Sequence, residues 1–153
     1  MSAVQDYVDF DRAVRLHIYY YFAAMGHPPT TRETASALSS PLTEVEESYQ
    51  RLADSRVMVL TPGTLDVRMA NPLSAIPTPF RVEAIGRSWY GNCVWDALGV
   101  VAMFGGNGKV ITACGDCGAP MQLTVKDNAL SEGSGVIHFA LPAVHWWDDI
   151  IYT

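Results

Sequence analysis

The sequence predicts an α+β fold in which an N-terminal winged-helix-like helical domain precedes a small, mostly antiparallel β-sheet domain with one central helix. Apolar residues follow helical spacing in the first third, a proline-rich stretch comes next, and short strand-like segments separated by glycine-rich turns fill the second half. The predicted organisation is a helical domain over residues 1–70, a connector over residues 71–80 and an α+β domain over residues 81–153. With 153 residues, 49% of them hydrophobic, the chain can bury a core.

The helical domain is expected to contain three helices and a β-hairpin, in this order: residues 8–25, 32–38 and 42–54, then hairpin strands 57–60 and 65–69. Gly26-His27-Pro28-Pro29 ends the first helix, because glycine and proline do not continue it. Thr30 and Thr31 can cap the second helix. Three helices followed by a hairpin is the order typical of a winged helix.

The second half begins after the connector, whose prolines exclude a helix there. Four strand-like segments follow, at residues 80–85, 110–113, 121–125 and 136–141. The run from Cys93 to Phe104 is the helix predicted between them. Strands that follow one another through short turns favour antiparallel pairing.

Charge and composition exclude several classes of function. The net charge is −6, and Glu44, Glu46 and Glu47 accompany Arg51 on the third helix, the one that would face DNA in a winged helix. Carboxylates repel phosphate, so DNA binding is not expected. The absence of a long apolar run predicts no membrane span. Three cysteines without an export signal predict reduced thiols in the cytoplasm.

Cys93 and Asp96 form the first candidate site. Asn92 is a good N-cap residue, which would place Cys93 in the first helical turn, where the helix dipole lowers a thiol's pKa. Asp96 lies three residues on, on the same helix face. Burial beside a thiolate would raise the pKa of its carboxyl, giving a soft nucleophile next to a proton donor. The alternative is a buried structural thiol and a carboxylate that stabilises the helix start.

Cys114-Gly115-Asp116-Cys117 is a CxxC motif between two predicted strands. Such a motif can be half of a zinc site, a redox pair or a tight turn. The sequence contains no second CxxC, and the motif leads into a strand and not into a helix. A turn that carries two thiols is therefore the simplest interpretation.

The sequence resembles the alkylmercury (organomercurial) lyase family, most firmly from about Arg81 to Pro142. The matching segments are residues 92–98 (NCVWDAL), Cys114 with residues 118–125 (GAPMQLTV), and residues 139–142 (FALP). The helical N-terminal domain fits the family's layout as well, so the resemblance covers most of the chain. It identifies residues 81–153 as an alkylmercury-lyase-like domain.

The resemblance implies cleavage of carbon–mercury bonds by thiolate capture and protonolysis, releasing hydrocarbon and Hg(II). Cys93 matches the family's first catalytic cysteine, Asp96 matches its proton-donating aspartate, and Cys114 matches a cysteine that looks structural. No cofactor is implied. The expected partners are a small organomercurial substrate and low-molecular-weight thiols that carry away Hg(II), a soft ion that prefers sulfur.

One feature departs from the family. Its second catalytic cysteine follows the segment that matches residues 139–142, whereas residues 143–153 contain no cysteine. We therefore expect either a sequence that stops short of that cysteine or a shortened homologue that lacks it. Cys117 is an additional thiol, which could bind metal together with Cys114 or Cys93.

Two alternative functions follow from this departure. The chain could be a non-catalytic thiol metal-binding or metal-responsive regulatory protein, in which Cys93, Cys114 and Cys117 are the metal ligands. It could also be a family member recruited to other thiol chemistry that keeps Cys93 and Asp96.

Overall fold

The structure is a computed structural model that describes residues 3–151. Its elements in chain order are α1 (Ala3–Met25), α2 (Thr31–Leu38), α3 (Leu42–Asp54), β1 (Val59–Leu60), β2 (Val67–Ala70), β3 (Leu73–Ser74), β4 (Arg81–Ala84), β5 (Arg87–Gly91), α4 (Val94–Met103), β6 (Gly108–Ala113), β7 (Pro120–Lys126), β8 (Ala129–Glu132) and a 3₁₀ turn (Ala143–His145). Three helices come first and the strands follow with α4 among them, so the predicted α+β fold is confirmed. No helix within residues 3–151 is long and apolar enough to cross a membrane.

The strands form one eight-stranded antiparallel sheet in the order β1-β2-β3-β5-β4-β6-β7-β8. The predicted hairpin is present as β1 and β2, each starting two residues later than expected. The short strand β3 lies inside the predicted connector and pairs with both β2 and β5. The hairpin therefore continues directly into the sheet of the second half, while the division into domains stays a prediction.

Two tight hairpins explain strands that the sequence interpretation missed. Ile85 and Gly86 join β4 to β5, and Asp127 and Asn128 join β7 to β8. All four residues have positive φ, the backbone of a two-residue turn whose twist matches that of paired strands. The sheet therefore turns at these dipeptides and not at the glycine-rich segments alone.

The predicted strand at residues 136–141 is wrong. This segment has no regular structure, and Val136 is 93% exposed. The last strand is β8, and Gly133 follows it with a φ of 104°. That conformation suits glycine and turns the chain away from the ladder. Alternating apolar residues after it consequently find no neighbouring strand.

The three N-terminal helices pack around a shared core. Val14, Ile18 and Phe22 lie on one face of α1 at intervals of four residues and are almost fully buried. They pack in a core cluster with Val45 and Tyr49 of α3. The predicted end of α1 at Met25 is confirmed.

Helix α2 has the predicted cap. The Thr30 side chain accepts a hydrogen bond from the Glu33 N–H at 3.2 Å, and the Glu33 carboxylate accepts one from the Thr30 N–H at 2.7 Å. This reciprocal pair is a capping box, which satisfies two backbone donors at the helix start.

Helix α4 packs its apolar face against the sheet. Ala97, Val100 and Val101 are fully buried. Gly91, the last residue of β5, lies so close to Ala97 that a Cβ added to the glycine would be 2.5 Å from the Ala97 nitrogen. This contact fixes the start of α4 on the sheet, and with it the residues of the candidate site.

Candidate active site

Cys93 lies at the N-cap of α4. Its backbone is extended, and the helix begins at Val94. The Cys93 sulfur accepts a hydrogen bond from the Asp96 N–H at 3.4 Å. The prediction that Asn92 caps the helix is therefore wrong, because the Asn92 amide is used in other contacts and the thiol takes the capping place.

The pKa of Cys93 is raised, contrary to the lowered value expected at a helix start. Burial of the thiol is the main cause, since removal from water disfavours the thiolate. The Asp96 N–H lowers the pKa, but the negative charge of the Asp96 carboxylate raises it further. Desolvation therefore outweighs the backbone donors at this position.

The pKa of Asp96 is raised as well, in the direction expected from the sequence. Burial is again the largest cause, and hydrogen bonds from Asn92 and Cys93 to the carboxylate partly offset it. The Asn92 Nδ2 donates to Asp96 Oδ2 at 3.0 Å. The structure thus places a partly buried thiol in contact with a carboxyl group that holds its proton more firmly than usual.

Asn92 joins the pair to the rest of the fold. Its Nδ2 also lies 3.1 Å from Asn71 Oδ1 and 3.4 Å from the Pro72 carbonyl oxygen, between β2 and β3. The Tyr19 hydroxyl, from α1, donates to the Asn71 carbonyl at 2.7 Å. Asn71 and Tyr19 were not predicted as site residues, since they lie in a connector and in a helical domain far away in sequence.

The Asn92 side-chain oxygen is buried without a hydrogen-bond partner within the described part of the chain. Buried polar atoms are normally paired, and exceptions gather where a ligand or water completes the hydrogen bonding. This acceptor lies on the residue that holds Asp96.

Cys114 and Cys117 lie elsewhere, on the turn between β6 and β7. Cys114 is half-buried and Cys117 is exposed. Residues 3–151 contain no group of three or more His, Cys, Asp or Glu side chains placed to hold a metal ion. The three thiols therefore do not form one metal site within this part of the chain. Cys93 begins α4, whereas Cys114 and Cys117 follow β6.

An apolar cavity of about 1000 Å³ lies between α4 and the face of strands β6 and β7. Val94 and Leu98 line it from the helix, Leu123 from the sheet, Cys114 from the turn and His138 from the segment after β8. Cys93 and Asp96 are not among its lining residues. The cavity thus begins one residue beyond Cys93 and reaches the Cys114 turn.

Comparison with known proteins identifies the family. A model of the family described as MerB, alkylmercury lyase, matches residues 73–153, and no curated protein matches the chain. A solved structure described as the mercury-bound form of MerB2 is similar in fold, with a TM-score of 0.64 and 17% sequence identity. The similarity covers 84% of this chain and 66% of that one, so the chain spans just under two thirds of its length. Because the family model matches more than half of the sequence, from β3 onward, the chain belongs to the alkylmercury lyase family.

Proposed function

We propose that the protein cleaves carbon–mercury bonds in organomercurials by thiolate capture at Cys93 and protonolysis by Asp96. The observation that carries this proposal is a partly buried thiol, hydrogen-bonded to the Asp96 N–H at 3.4 Å, on the same residue pair as a carboxyl group of raised pKa at the start of α4. Family membership supports it. A proton donor for carbon must be protonated near neutral pH, and a buried carboxyl group meets that requirement better than an exposed one.

Capture comes first in this mechanism. The Cys93 thiol loses its proton, and its sulfur displaces the ligand X from R–Hg–X, so that one S–Hg bond forms, one Hg–X bond breaks and HX leaves. Mercury(II) is a soft ion and prefers sulfur to oxygen ligands, which favours the thiol over the neighbouring carboxyl group.

Protonolysis follows. The Asp96 carboxyl group gives its proton to the mercury-bound carbon, the electron pair of the C–Hg bond becomes the new C–H bond, and R–H leaves. Mercury remains Hg(II) on Cys93, and Asp96 becomes a carboxylate. Asn92 holds this carboxylate by its amide N–H and so orients the donor.

Release of Hg(II) needs further sulfur. We propose that low-molecular-weight thiols provide it. One thiol adds its sulfur to mercury and its proton to Asp96. A second one displaces Cys93, which regains a proton, and Hg(II) leaves as a bis-thiolate.

The test is hydrocarbon release from phenylmercuric acetate with excess small thiol. We expect benzene from the unmodified chain, none from Asp96→Asn, and mercury still bound by that variant. Asp66→Asn removes an exposed carboxylate from the β1–β2 loop and is the matched control, which should retain full release. Equal benzene release from Asp96→Asn and the unmodified chain would refute the assignment of Asp96.

A non-catalytic thiol metal-binding protein is the second candidate. The pair of thiols on the β6–β7 turn favours it, and it predicts tight mercury binding that is indifferent to Asp96→Asn. A regulator that acts through DNA is less favoured, because Arg51 of α3 is engaged by Asp11 through two hydrogen bonds of 2.6 and 2.9 Å. A salt-dependent gel shift with a DNA fragment would support that regulator.

A further inference from the structure

The β6–β7 turn holds two thiols that the proposed mechanism does not use. The Cys114 N–H donates to the Ala119 carbonyl at 2.8 Å, and the Gly118 N–H donates to the Cys114 carbonyl at 2.9 Å. These hydrogen bonds close the turn around Cys114. Gly118 has a φ of 71°, a left-handed conformation that glycine adopts without strain.

The hydrogen bond from the Gly118 N–H to the Cys114 carbonyl encloses both cysteines in one turn. The backbone N–H groups of Cys117 and Asp116 and the Cys117 thiol all lower the pKa of Cys114. The backbone N–H of Cys117 is the largest cause of a lowered pKa at Cys114, opposite in direction to the shift at Cys93. The turn thus favours a thiolate at Cys114 and carries a second thiol three residues further along the chain.

We propose that Cys114 and Cys117 form a second, independent metal site that takes Hg(II) as a two-coordinate dithiolate. A soft ion that accepts linear coordination needs two thiolates, whereas a structural zinc ion needs four ligands. Within residues 3–151 no third His, Cys, Asp or Glu completes a group that could hold a metal ion, which fits a two-ligand site.

The binding reaction balances without an oxidant. Two S–H bonds and the two Hg–Cl bonds of mercuric chloride break, two S–Hg bonds form, two protons and two chloride ions leave, and mercury stays Hg(II). A disulfide between the same residues would require the loss of two electrons to an oxidant. Proton release therefore distinguishes metal binding by two thiols from attachment of mercury to one.

Access to the site is open. Cys117 is exposed on the turn, and Cys114 lines the apolar cavity. Within residues 3–151 these thiols do not join Cys93 or Asp96 in a group that could hold a metal ion, so the proposed site does not depend on cleavage of organomercurials.

The experiment uses the full chain with Cys93→Ser, which removes the proposed catalytic thiol. The reduced protein is titrated with mercuric chloride in excess glutathione, and mercury is counted after desalting. We expect a single ion per chain. In a separate titration with mercuric chloride and no glutathione, binding should release about two protons per ion near neutral pH. Adding Cys117→Ser should lower the affinity by roughly 10²-fold or more, because the second sulfur no longer binds intramolecularly.

Asp116→Asn is the matched control, since it changes the turn and leaves both sulfur atoms in place. It should retain mercury as the Cys93→Ser chain does. Retention that is unchanged by Cys117→Ser, or no retention by the Cys93→Ser chain, would overturn the proposal. Circular dichroism checks that each variant is folded. Cys117→Ser is the variant of choice because Cys117 is exposed, so its replacement should not disturb the fold. Cys93 is absent throughout, so failure here leaves the benzene assay unaffected.

Discussion

Gly91→Ala should displace the candidate site without touching any of its side chains. The added Cβ would lie 2.5 Å from the Ala97 nitrogen and 2.7 Å from its Cα, both of them backbone atoms that cannot swing aside. Ordinary contact begins near 3.4 Å, so α4 must move by the difference of 0.9 Å. Gly91 itself is fixed, because its N–H donates to the Phe80 carbonyl and its carbonyl accepts from the Thr78 hydroxyl.

The expected costs follow from this displacement. Forcing an extra methyl into a packed contact costs about 1–3 kcal/mol of unfolding free energy. In a chain of this size each kcal/mol lowers the Tm by roughly 2–4 °C. Asp96 precedes Ala97, and a misplacement of about 1 Å can cost roughly 10²-fold in rate. Benzene release and thermal unfolding measure the two effects.

Gly99→Ala is the matched control, because it adds the same methyl to the same helix. Its Cβ would lie 3.5 Å from the Pro72 Cβ, an ordinary contact. Alanine is favoured over glycine inside a helix by about 1 kcal/mol, so this variant should be more stable and retain its rate. If Gly91→Ala matched Gly99→Ala in Tm and in benzene release, the inferred displacement of α4 would be refuted.

Three further predictions concern buried polar groups. The pKa of Asp96 is higher in the folded chain than in the unfolded chain. The unmodified chain therefore loses stability as the pH rises from the unfolded-state pKa to the folded-state pKa. Asp96→Asn removes this loss, so the variant should be the more stable protein above the ordinary carboxyl pKa. Urea unfolding at several pH values measures this, and a pH-independent difference contradicts it. Asn92→Ala removes a hydrogen bond that lowers the Asp96 pKa, so the alkaline limb of benzene release should move to higher pH; an unmoved limb argues against a positioning role. The Tyr49 hydroxyl lies 2.8 Å from the buried Thr34 hydroxyl, and Tyr49→Phe removes it. The free energy of unfolding, measured with urea, should fall by about 1–3 kcal/mol. An unchanged unfolding midpoint would show that water or the backbone replaces the lost partner.

Local signals in the sequence predicted much of the helical half. The end of α1 at Met25 and the cap at Thr30 depend on neighbouring residues, namely the Gly-His-Pro-Pro stretch and the Thr-x-x-Glu pattern. The strands after the connector were harder to predict. β8 depends on a two-residue turn with positive φ and on β7 as a partner, whereas residues 136–141 have a strand-like pattern but no partner.

In the candidate site, too, features set by neighbouring residues could be predicted, whereas features set by the tertiary fold could not. Cys93 and Asp96 are three residues apart, so their contact could be predicted from helical geometry. The sign of the Cys93 pKa shift could not, because it depends on how deeply the folded chain buries the thiol. Asn71 and Tyr19 were missed because their partners are distant in sequence. Asn71 and Asn92 are 21 residues apart, and Tyr19 and Asn71 are 52 residues apart.

The two-residue strand β3 links the acidity of Asp96 to the folding of distant helices. Leu73 and Ser74 are buried and pair with the N-terminal hairpin on one side and with β5 on the other. Opening of this ladder would detach α1, with Tyr19, from the Asn71–Asn92 contacts and let water reach the carboxyl group. The pKa of Asp96 would then fall toward its ordinary value, and the carboxyl group would hold its proton less firmly. The raised pKa of the proposed proton donor thus depends on the cooperative folding of both halves, so a partly unfolded chain would keep the Cys93 thiol but hold the Asp96 proton less firmly.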